Sequence, residues 1–472
     1  MKKNQDCPLV VDLDGTLIKT DILMEQVIAF VRQNPFNFFL VLFWFFQGFA
    51  KLKYEVYKRS LLVLDNLPIN NDVISLINDA KSEGRKIILA TATFLENAQQ
   101  IADSMNIFDE VLATTIDCNL RGNNKAKLLV DKFGEKQFDY VGDSFVDIDV
   151  WKYSRIAYLV NPSIELIKKV SSITQTEIIS SNITKRLDLI LKAIRLKQWS
   201  KNLLLFLPSL LAHQFDLWTY GELFLAFLAF SFLSSAVYLL NDLNDLDADR
   251  KHPIKRLRPL ASGNLHLEYG LYLALGLLSL SFVLNVALGN LAFSLLSFTY
   301  LIANYYYSKI LKQLPIIDIT VLSSFYLLRI YAGSVVSSTP ISEWLIMFSI
   351  FTFLSLAILK RYSEILLVSD GQSLVRGYHS KDKTILLIFG ITLSLLSSVI
   401  YLFYTQSKKV ELLYSEPIYL IFVCPLIILF YMRLWLKVNR KMETDNPIDI
   451  VLADKANYFI IAAAILFLYL AY

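Results

Sequence analysis

Two aspartates near the beginning of the sequence have a spacing that suits metal-assisted phosphoryl chemistry. Asp12 and Asp14 follow the apolar run PLVV, and Gly15 and Thr16 come directly after them. Residues two apart on a strand point to the same face, so we expect both carboxylates to face one way. Adjacent carboxylates repel each other unless a cation is present, which predicts a Mg²⁺ site. The alternative interpretation is a solvated turn at the end of a strand.

Three further polar motifs follow in order, each at or near the end of an apolar run. Thr91 closes the run KIILA, Lys125 lies in RGNNKAKLL, and Asp143 and Asp147 stand in YVGDSFVD. With the first pair, these residues provide a nucleophile, an acid and base, a hydroxyl, a cation and metal ligands. Four ordered motifs of this kind favour a phosphoryl-transfer site over the solvated turn.

The segments around these motifs predict the elements that must position them. Short apolar runs that end in polar clusters are typical of buried parallel strands, and the segment NDVISLINDAKSEG has helical period. The runs are PLVVDLDGT, RKIILATAT, FDEVLATT, FDYVGDS and RIAYLVNP. This pattern predicts an α/β Rossmann-like domain whose chemistry lies at the carboxyl ends of its strands.

On these four motifs, roughly residues 5–165 resemble the haloacid dehalogenase (HAD) superfamily of phosphohydrolases. The resemblance implies that Asp12 attacks phosphorus as the nucleophile. It implies that Asp14 protonates the leaving group and later activates water. Thr91 and Lys125 would bind the phosphoryl oxygens.

The same resemblance implies a Mg²⁺ ion held by Asp12, Asp143 and the backbone carbonyl of Asp14, with help from Asp147. The ion would cancel charge that otherwise keeps an anionic substrate from an anionic nucleophile. Lys127 competes with Lys125 for the role of the phosphate-binding lysine, although it is less well aligned. No acidic position departs from the pattern, which favours an active phosphatase over a degenerate regulatory domain.

A second acidic motif lies in the stretch NDLNDLDADRKHPIKRLRP. Asn241, Asp242, Asp245 and Asp249 fall within an arc of about 100° on one helix. Like charges on one helix face are destabilising unless cations bridge them, and Mg²⁺ ions chelated by a diphosphate are natural partners. Basic residues suited to further phosphate oxygens follow at once; they are Lys251, Lys255, Arg256 and Arg258. The alternative is an acidic helix end before an ordinary basic loop.

The composition of the chain indicates that the two motifs lie in different parts, one suited to water and the other to a lipid bilayer. Of the 472 residues, 55% are hydrophobic and 19% are charged, whereas soluble proteins carry about 25% charged residues. The net charge of +4 is too small to indicate a nucleic-acid binder. Three scattered cysteines exclude a disulfide scaffold and a CxxC metal site. The first residues contain no long apolar stretch, so we expect no cleavable secretory signal.

Beyond about residue 200, about nine apolar segments approach the ~20 residues that cross a bilayer as a helix. They lie near 202–218, 221–240, 267–288, 291–304, 315–335, 342–359, 384–404, 416–435 and 456–471. The even-numbered loops between them hold sixteen Lys and Arg residues, against two in the odd-numbered loops. The positive-inside rule therefore predicts a multi-pass protein of the cytoplasmic membrane, with its N-terminal domain in the cytoplasm and its C-terminus outside.

Residues 36–50, FNFFLVLFWFFQGFA, carry no charge but are too short to cross a bilayer. Two interpretations stay open. The segment is either an apolar cap or core helix, or a helix that lies on the membrane or packs against the second domain. Basic residues flank it on the C-terminal side; they are Lys51, Lys53, Lys58 and Arg59.

From about residue 190 to 472, the chain resembles the UbiA superfamily of intramembrane prenyltransferases, on its first aspartate motif. The resemblance implies departure of a diphosphate assisted by Mg²⁺, with a hydrophobic chain held between about nine helices. Where many members carry DxxxD, this chain has Asp318 and Leu322, so one carboxylate is missing. Arg329 shares a helix face with Asp318, and it should face a polar cavity, bind a phosphate or form a structural pair with a carboxylate.

That departure, together with six sequence motifs, looks most like the decaprenyl-phosphate phosphoribosyltransferases. The motifs are RLKQWSKNLLLFLP, NDLNDLDADRKHPIKRLRP, YSKILKQLPIIDI, LLRIYAG, LKRYSE and NPIDIVLADK. In that branch the donor is water-soluble phosphoribosyl pyrophosphate and the acceptor is a polyprenyl phosphate, chemistry typical of cell-envelope biosynthesis. Basic side chains near the cytoplasmic mouth suit two anionic substrates; they are Lys201, Lys255, Arg256, Arg258, Lys312, Arg329, Lys360 and Arg361. Among them we favour Lys201, Arg258 and Lys360 as phosphate binders.

The leading hypothesis is a bifunctional membrane enzyme with a phosphatase domain over 1–185 and a transferase domain over 186–472. The first alternative is a prenyltransferase that moves an isoprenoid chain from its diphosphate to an aromatic or lipid acceptor. The second is a membrane scaffold or transporter with a regulatory phosphatase. The expected partners are a membrane lipid substrate and a soluble phosphorylated sugar, with no nucleic acid; oligomeric state is not specified by the sequence.

Overall fold

The computed structural model describes residues 7–60, 66–116, 118–180, 186–366, 377–440 and 454–472. The chain divides into two units. The first comprises Met1–Leu196 and Tyr238–Gly276, and the second comprises Lys197–Val237 and Leu277–Tyr472. The loop that carries the first aspartate motif of the membrane half therefore belongs to the same unit as the N-terminal domain.

A parallel sheet of six strands organises the N-terminal domain. Its strands are β1 (Leu9–Val11), β2 (Ile87–Phe94), β3 (Glu110–Thr114), β4 (Asp139–Gly142), β5 (Ile156–Val160) and β6 (Gln175–Ser180). Their order across the sheet is β3-β2-β1-β4-β5-β6, and every neighbouring pair is parallel. The α/β class is thus confirmed, and the first five strands coincide with the five predicted runs. The edge strand β6 was not predicted, because QTEIIS has no continuous apolar run.

Both faces of this sheet are buried, as parallel sheets require. Leu9 and Val11 pack into the core on one face, and Val10 packs into the core on the other. This alternation follows from the two-residue period of a strand. Helices that contribute buried side chains to these two cores cover the faces; they are α4 (Asn71–Ser82), α5 (Leu95–Met105), α6 (Asn123–Phe133), α7 (Ile148–Trp151) and α8 (Ile164–Ser171). Helix α9 (Arg186–Ala193) follows the last strand.

Three helices inserted between β1 and β2 form a cap: α1 (Ile22–Gln33), α2 (Asn37–Phe46) and α3 (Phe49–Arg59). Asp21 begins α1 by accepting a hydrogen bond from the Met24 backbone N–H. Gly48, at φ 115°, allows the sharp turn between α2 and α3. Buried side chains from all three helices hold the cap together; they are Phe30, Trp44, Leu52 and Val56.

The described residues beyond this domain form helices and the turns between them. Its helices are α10 (Leu207–Leu211), α11 (Leu217–Asn244), α12 (Leu246–Lys251), α13 (Leu267–Leu288), α14 (Leu291–Lys309), α15 (Ile317–Ser337), α16 (Glu343–Leu366), α17 (Lys383–Thr405), α18 (Lys408–Leu413), α19 (Ile418–Ile421), α20 (Val423–Asn439) and α21 (Lys455–Ala471). Six spans within the described residues are long and apolar enough to cross a membrane: Leu217–Asn244, Leu267–Leu288, Ile317–Ser337, Glu343–Leu366, Ser380–Thr405 and Pro417–Asn439. The chain is therefore a multi-pass membrane protein.

The count of six differs from the predicted nine at three positions. The segment 202–218 does not form one long helix; it forms a 3-10 helix over Leu196–Phe206 followed by α10. Pro208 stands at the first turn of α10, where its missing N–H interrupts a continuous helix. Polar and aromatic side chains lower the mean hydropathy of α14. Helix α21 has 17 residues and is shorter than the six spans.

The second unit contains one very close approach between helix and backbone. A Cβ placed on Gly333, in α15, would lie 1.9 Å from the carbonyl oxygen of Leu205. Small residues at helix interfaces are typical of membrane proteins, because they let backbones approach each other.

We therefore expect Gly333→Ala to lower the stability of the solubilised full-length protein by about 1–3 kcal/mol, the usual cost of overpacking. The measurement is the thermal unfolding midpoint, followed by intrinsic fluorescence. Gly221→Ala is the matched control, because nothing lies within 4 Å of a Cβ at that helical position. An unchanged midpoint for Gly333→Ala, or an equal fall in both variants, would contradict the packing described.

Candidate active sites

Asp12 lies at the carboxyl end of β1, where the strand order of the sheet reverses. Ligands of open parallel sheets bind at such points. The backbone N–H of Asp12 donates to the carbonyl oxygen of Val141 over 3.0 Å, which fixes the residue beside β4. Its carboxylate accepts from the Leu13 N–H over 2.8 Å and lies 3.0 Å from the Lys125 Nζ. A buried lysine thus neutralises a buried carboxylate.

Three carboxylates meet at this end of the sheet. One oxygen atom from each of Asp12, Asp143 and Asp147 lies within 4.8 Å of the others. Gly15 makes this possible, because a Cβ there would lie 2.3 Å from Asp143 Oδ2 and because its φ is +73°. Carboxylate oxygens at this spacing are the ligands that Mg²⁺ prefers, so the residues fit a magnesium site.

A buried chain of hydrogen bonds connects the lysine to the third carboxylate. The Lys125 Nζ donates to the Tyr140 hydroxyl over 2.8 Å, and that hydroxyl donates to Asp147 Oδ1 over 2.9 Å. Asp147 Oδ2 accepts from the Ser144 hydroxyl over 2.8 Å. Asp147 is therefore already hydrogen-bonded through both oxygens, which suits a positioning role. Lys127, the competing lysine, is exposed.

Asp14 turns away from the three carboxylates. Its Oδ1 accepts from the Ile22 N–H over 2.8 Å, and its Oδ2 accepts from the Thr93 hydroxyl over 2.5 Å. Thr91 accepts from the Thr93 N–H over 3.0 Å and is fully buried. An aspartate held in this way, two residues from Asp12 but outside the group of three carboxylates, could act in proton transfer. Sequence reasoning missed Thr93, although it stands two residues after Thr91 on the same strand face.

The cap contributes a lysine to the same site. Lys53, on α3, donates through Nζ to the carbonyl oxygen of Ala92 over 2.5 Å and to Asn119 Oδ1 over 3.4 Å. Burial lowers the pKa of Lys53, while Asp14 and Asp21 oppose that shift. The sequence indicated Lys53 only as one of the charges flanking residues 36–50, because nothing local shows that α3 folds over the sheet.

The carboxylates are buried more completely than their counter-charges can compensate. Burial raises the pKa of Asp12 to about 6, even though Lys125 lowers it. Burial also raises the pKa of Asp14 to about 7, with a further contribution from Asp21. The pKa of Asp143 is raised well above its ordinary value by burial and by Asp147. This surplus of negative charge favours a bound divalent cation.

The second acidic motif begins at the C-terminal end of α11. The sequence predicts one helix through Asp249, but α11 ends at Asn244 and Asp245 has φ −98° and ψ 13°. Backbone hydrogen bonds cross this irregularity, from the Asp245 N–H to Asn241 and from the Asp249 N–H to Asp245. The i to i+4 register of the motif therefore continues from the membrane helix into α12.

Arginines connect the aspartates of this motif. Arg258 Nη1 lies 3.0 Å from Asp242 Oδ1 and 2.5 Å from Asp249 Oδ2, and Arg195 also pairs with Asp242. Burial raises the pKa of Asp249, and Arg258 opposes the shift. Asn241 and Asp245 are half-buried, Lys255 is half-buried and Arg256 is exposed. Arg195 was missed, because its partner lies 47 residues away.

The guanidinium groups here stand where a cation is needed. Asp242 and Asp249 are buried, so without Arg195 and Arg258 they would carry unpaired charge. The carboxylates are suitable ligands for Mg²⁺. The guanidinium groups between them are suited to bind phosphate oxygens.

In the second unit, the lone acidic residue of the second motif is already paired. Asp318 forms an ion pair with Arg361 and accepts from the Tyr378 hydroxyl over 2.5 Å. Arg361 also contacts Glu364 over 2.6 Å, and its Nη2 donates to the Tyr307 hydroxyl over 3.0 Å. Asp318 is fully buried and Arg361 is 1% exposed. Both residues, predicted to bind substrate, thus pair with each other in one buried network.

Arg329 is buried among neutral groups. Its Nε donates to Asn202 Oδ1 over 2.7 Å and its Nη1 to the Phe325 carbonyl oxygen over 2.6 Å. The guanidinium carbon lies 5.1 Å from the ring centres of Phe230 and Tyr300. Within the described part of the chain, no carboxylate pairs with Arg329.

Two further predicted phosphate binders also lie in the second unit. The Lys201 Nζ lies 5.7 Å from the ring centre of Tyr326, and Lys360 is half-buried on α16. Of the motif NPIDIVLADK, only Asp454 and Lys455 fall within the described residues. Tyr378, which contacts Asp318, was missed because no pattern in its own segment connects it to α15.

Comparison with known proteins identifies relatives of the membrane half and of the whole chain. Residues 203–450 match the UbiA prenyltransferase family. An uncharacterized protein of Sinorhizobium fredii, y4nM, is 32% identical over 96% of this chain and 89% of its own length. The decaprenyl-phosphate phosphoribosyltransferase of Corynebacterium glutamicum is 38% identical over 38% of this chain. That match spans 55% of the length of the relative.

Two solved structures align with parts of the chain. A UbiA homologue from Archaeoglobus fulgidus, bound to GPP and Mg²⁺, is 19% identical with a TM-score of 0.43, covering 60% of this chain and 96% of its own. A HAD-family hydrolase from Salmonella enterica is 13% identical with a TM-score of 0.28, covering 36% of this chain and 67% of its own. HAD phosphatases are thus among the structural neighbours of the chain.

The raised carboxylate pKa values predict how Mg²⁺ and pH act together on stability. The pKa values of about 6 and about 7 for Asp12 and Asp14 exceed the ordinary 3.8. The folded state therefore binds protons more tightly than the unfolded state, and the metal-free protein loses stability as pH rises from about 4 to about 7. We expect Mg²⁺ to raise the unfolding midpoint more at pH 8 than at pH 5.5. Each kcal/mol that Mg²⁺ adds to the free energy of unfolding corresponds to about 2–4 °C in a domain of this size.

The control is Asp143→Asn, which removes one ligand of this cluster and leaves the second aspartate motif intact. The variant should show a smaller Mg²⁺ effect at pH 8 than the unmodified protein. An equal Mg²⁺ effect at both pH values, or an undiminished effect in Asp143→Asn, would contradict a magnesium site at these carboxylates.

Proposed function

Because the chain belongs to the UbiA prenyltransferase family, we propose that its membrane half transfers 5-phosphoribose from phosphoribosyl pyrophosphate to a polyprenyl phosphate. The observation that carries the proposal is the cluster in which Arg258 and Arg195 contact Asp242 and Asp249. Carboxylates that hold a metal ion, together with arginine guanidinium groups that bind two oxygens at once, suit a donor with phosphate groups at both ends. The relative from Corynebacterium glutamicum bears the name of this activity.

The reaction joins an oxygen of the polyprenyl phosphate to C1 of the ribose, while the bond from C1 to pyrophosphate breaks. Asp242, Asp245 and Asp249 would hold Mg²⁺, which supplies neutralisation of the leaving group's charge. Arg195 and Arg258 would exchange their carboxylate partners for oxygens of the pyrophosphate. Catalysis then consists mainly of positioning and of stabilising charge on the leaving group.

The state of Asp318 supports the sugar donor over an isoprenoid donor. A second DxxxD motif would supply a second set of metal ligands, but here Leu322 replaces one carboxylate and Arg361 neutralises the other. The buried Arg329 adds a positive charge to the second unit, where an anionic lipid phosphate would compensate it. The alternative, transfer of an isoprenoid chain from its diphosphate, uses the aspartates in the same way and differs in the donor.

For the N-terminal half, we propose hydrolysis of a phosphomonoester, namely the 5-phosphate of the lipid-linked product. Asp12 would attack phosphorus, and the ester oxygen would leave with a proton from Asp14. Lys125 and Thr91 would bind the phosphoryl oxygens, and Asp12, Asp143 and the backbone carbonyl of Asp14 would hold Mg²⁺. Water, deprotonated by Asp14, would then release inorganic phosphate and restore Asp12. The site geometry supports these roles, since Lys125 contacts Asp12 and Thr93 orients Asp14.

We further propose nine membrane crossings, with the N-terminal domain in the cytoplasm and the C-terminus outside. The 3-10 helix of 11 residues extends about 22 Å at about 2 Å per residue, and α10 adds about 7 Å. Together they can cross a core of about 30 Å without a long α-helix. The basic loops after α11, α14 and α16 agree with this orientation.

The transferase proposal predicts a choice of donor. Purified protein in Mg²⁺ should transfer radiolabel from phosphoribosyl pyrophosphate to polyprenyl phosphate, and isoprenoid diphosphates should be inactive as donors. Asp242→Asn should reduce the rate by at least about 10³-fold, because the leaving group loses its charge compensation. Asp247→Asn is the matched control, because that residue pairs with Arg32 and does not contact Arg258. Transfer from an isoprenoid diphosphate alone would replace the proposal with the prenyltransferase alternative.

The phosphatase proposal predicts a change of product without a loss of transfer. With Asp12→Asn, the lipid product should retain its 5-phosphate, and the rate of transfer should stay within about twofold. Asp103→Asn, an exposed acidic position on α5, serves as the control and should release phosphate normally. Mass spectrometry of the extracted lipid distinguishes the two products. An unchanged product distribution in Asp12→Asn would remove the coupling between the halves.

A further inference from the structure

We propose that helix α2 of the cap inserts into the cytoplasmic leaflet of the membrane, so that the phosphatase site takes phosphomonoesters carried by a membrane lipid. The second part of this inference rests on the phosphatase activity proposed above. The first part concerns only where α2 lies and is tested without any reaction.

Helix α2 exposes apolar side chains almost all round. Seven of its ten residues are exposed, and they are all Phe or Leu. Phe39 is 66% exposed, Phe43 is 58% exposed and Phe46 is 83% exposed. Only a narrow stripe that includes Trp44 packs against the cap. A protein partner would cover one side of such a helix, whereas fluid hydrocarbon covers every side.

The last turn of α1, just before α2, contacts the end of a candidate membrane helix. Arg32, in the last turn of α1, donates to the carbonyl oxygen of Asn244 over 3.2 Å and lies 2.8 Å from Asp247 Oδ2. Asn244 is the last residue of α11, a candidate membrane span. Residues Gln33–Phe36 then lead directly to α2, which therefore begins close to where α11 leaves the bilayer.

A buried ion pair holds this arrangement in place. Glu25, on α1, pairs with Arg250 at 2.5 Å, and their side chains are 7% and 5% exposed. Thr20 donates to the same carboxylate over 2.8 Å, and Arg250 Nε donates to the Ala261 carbonyl oxygen over 3.2 Å. Cap helix α1 is thus fixed to the loop between α11 and α13. The cap cannot turn α2 away from the end of α11 without breaking these contacts.

Length and charge suit insertion into one leaflet. Ten helical residues extend about 15 Å, half of a hydrocarbon core of about 30 Å, so α2 can enter the leaflet but not cross it. Helix α3, which follows, carries four basic residues and the single acidic Glu55. Aromatic side chains with neighbouring cations are the composition of helices that lie at anionic membrane surfaces.

The same cap forms part of the phosphatase site. Lys53 of α3 contacts the carbonyl oxygen of Ala92, which stands between Thr91 and Thr93. The turn at Gly48 joins α3 directly to α2. A cap with one helix in the leaflet and the next at the catalytic carboxylates would receive its substrate from the membrane surface. The implied substrate class is a lipid whose polar headgroup ends in a phosphomonoester.

Nitroxide depth measurement tests the insertion. Phe43→Cys and the control Ser75→Cys, on the exposed face of α4, are made in full-length protein carrying Cys118→Ser, labelled and reconstituted into vesicles of 3:1 phosphatidylcholine and phosphatidylglycerol. We expect the label at 43 to collide with oxygen more than with a water-soluble nickel chelate, and the label at 75 to show the reverse. Preference for nickel at position 43 overturns the insertion. Shielding from both reagents overturns it equally, and would indicate a protein partner or a second copy.

A paired activity measurement tests the substrate class. Phe39→Ser combined with Phe43→Ser should lower kcat/KM for chemically prepared polyprenyl-phosphoryl-ribose 5-phosphate in vesicles by at least about tenfold. It should leave kcat/KM for soluble p-nitrophenyl phosphate unchanged, because neither side chain contacts the catalytic carboxylates. Equal rates on the vesicle substrate before and after substitution overturn the lipid-substrate inference. Absence of activity on both substrates in the unmodified protein would instead count against the phosphatase proposal, and the depth measurement would stand by itself.

Discussion

Buried carboxylates need a cation within contact distance, and both candidate sites are organised by that requirement. At the end of the sheet, Lys125 lies 3.0 Å from Asp12, yet burial still raises the pKa of the aspartate to about 6. At the end of α11, Arg258 connects Asp242 to Asp249. A cluster of this kind stays in place only while positive charge is bound to it. A divalent metal ion can supply that positive charge, and a phosphorylated substrate can bind to it. This explains why acidic and basic residues occur together at each site.

The two sites are also connected through the chain itself. The segment 238–276, which includes the end of α11, α12 and the start of α13, belongs to the same unit as the N-terminal domain. The buried pair Glu25–Arg250 joins cap helix α1 to that segment. This pair costs desolvation of both groups, and replacing one partner would leave the other charge buried. The segment that carries the second aspartate motif is therefore supported by the cap of the N-terminal domain. This contact is a physical reason for the two proposed activities to share one polypeptide.

Local patterns in the sequence predicted the elements well and the long-range pairs poorly. Continuous apolar runs gave five of the six strands, because buried parallel strands need no polar alternation. In place of one helix over 202–218 there is a 3-10 helix followed by α10, because Pro208 in the first turn of α10 interrupts a continuous helix. Lys53, Arg195 and Tyr378 escaped prediction because each contacts a partner on another element. The acidic residues were easier to find, since several of them stand together within one short motif.

The proposed transfer requires Asp242 and Asp249 to exchange their arginine partners for a diphosphate held through Mg²⁺. Calorimetric titration of the reconstituted protein with inorganic pyrophosphate, with and without Mg²⁺, tests it most directly. We expect Mg²⁺ to lower the Kd for pyrophosphate by at least about tenfold, and we expect Asp242→Asn to abolish this gain. Binding of pyrophosphate that is equally strong without Mg²⁺, or a gain that persists in Asp242→Asn, would contradict it.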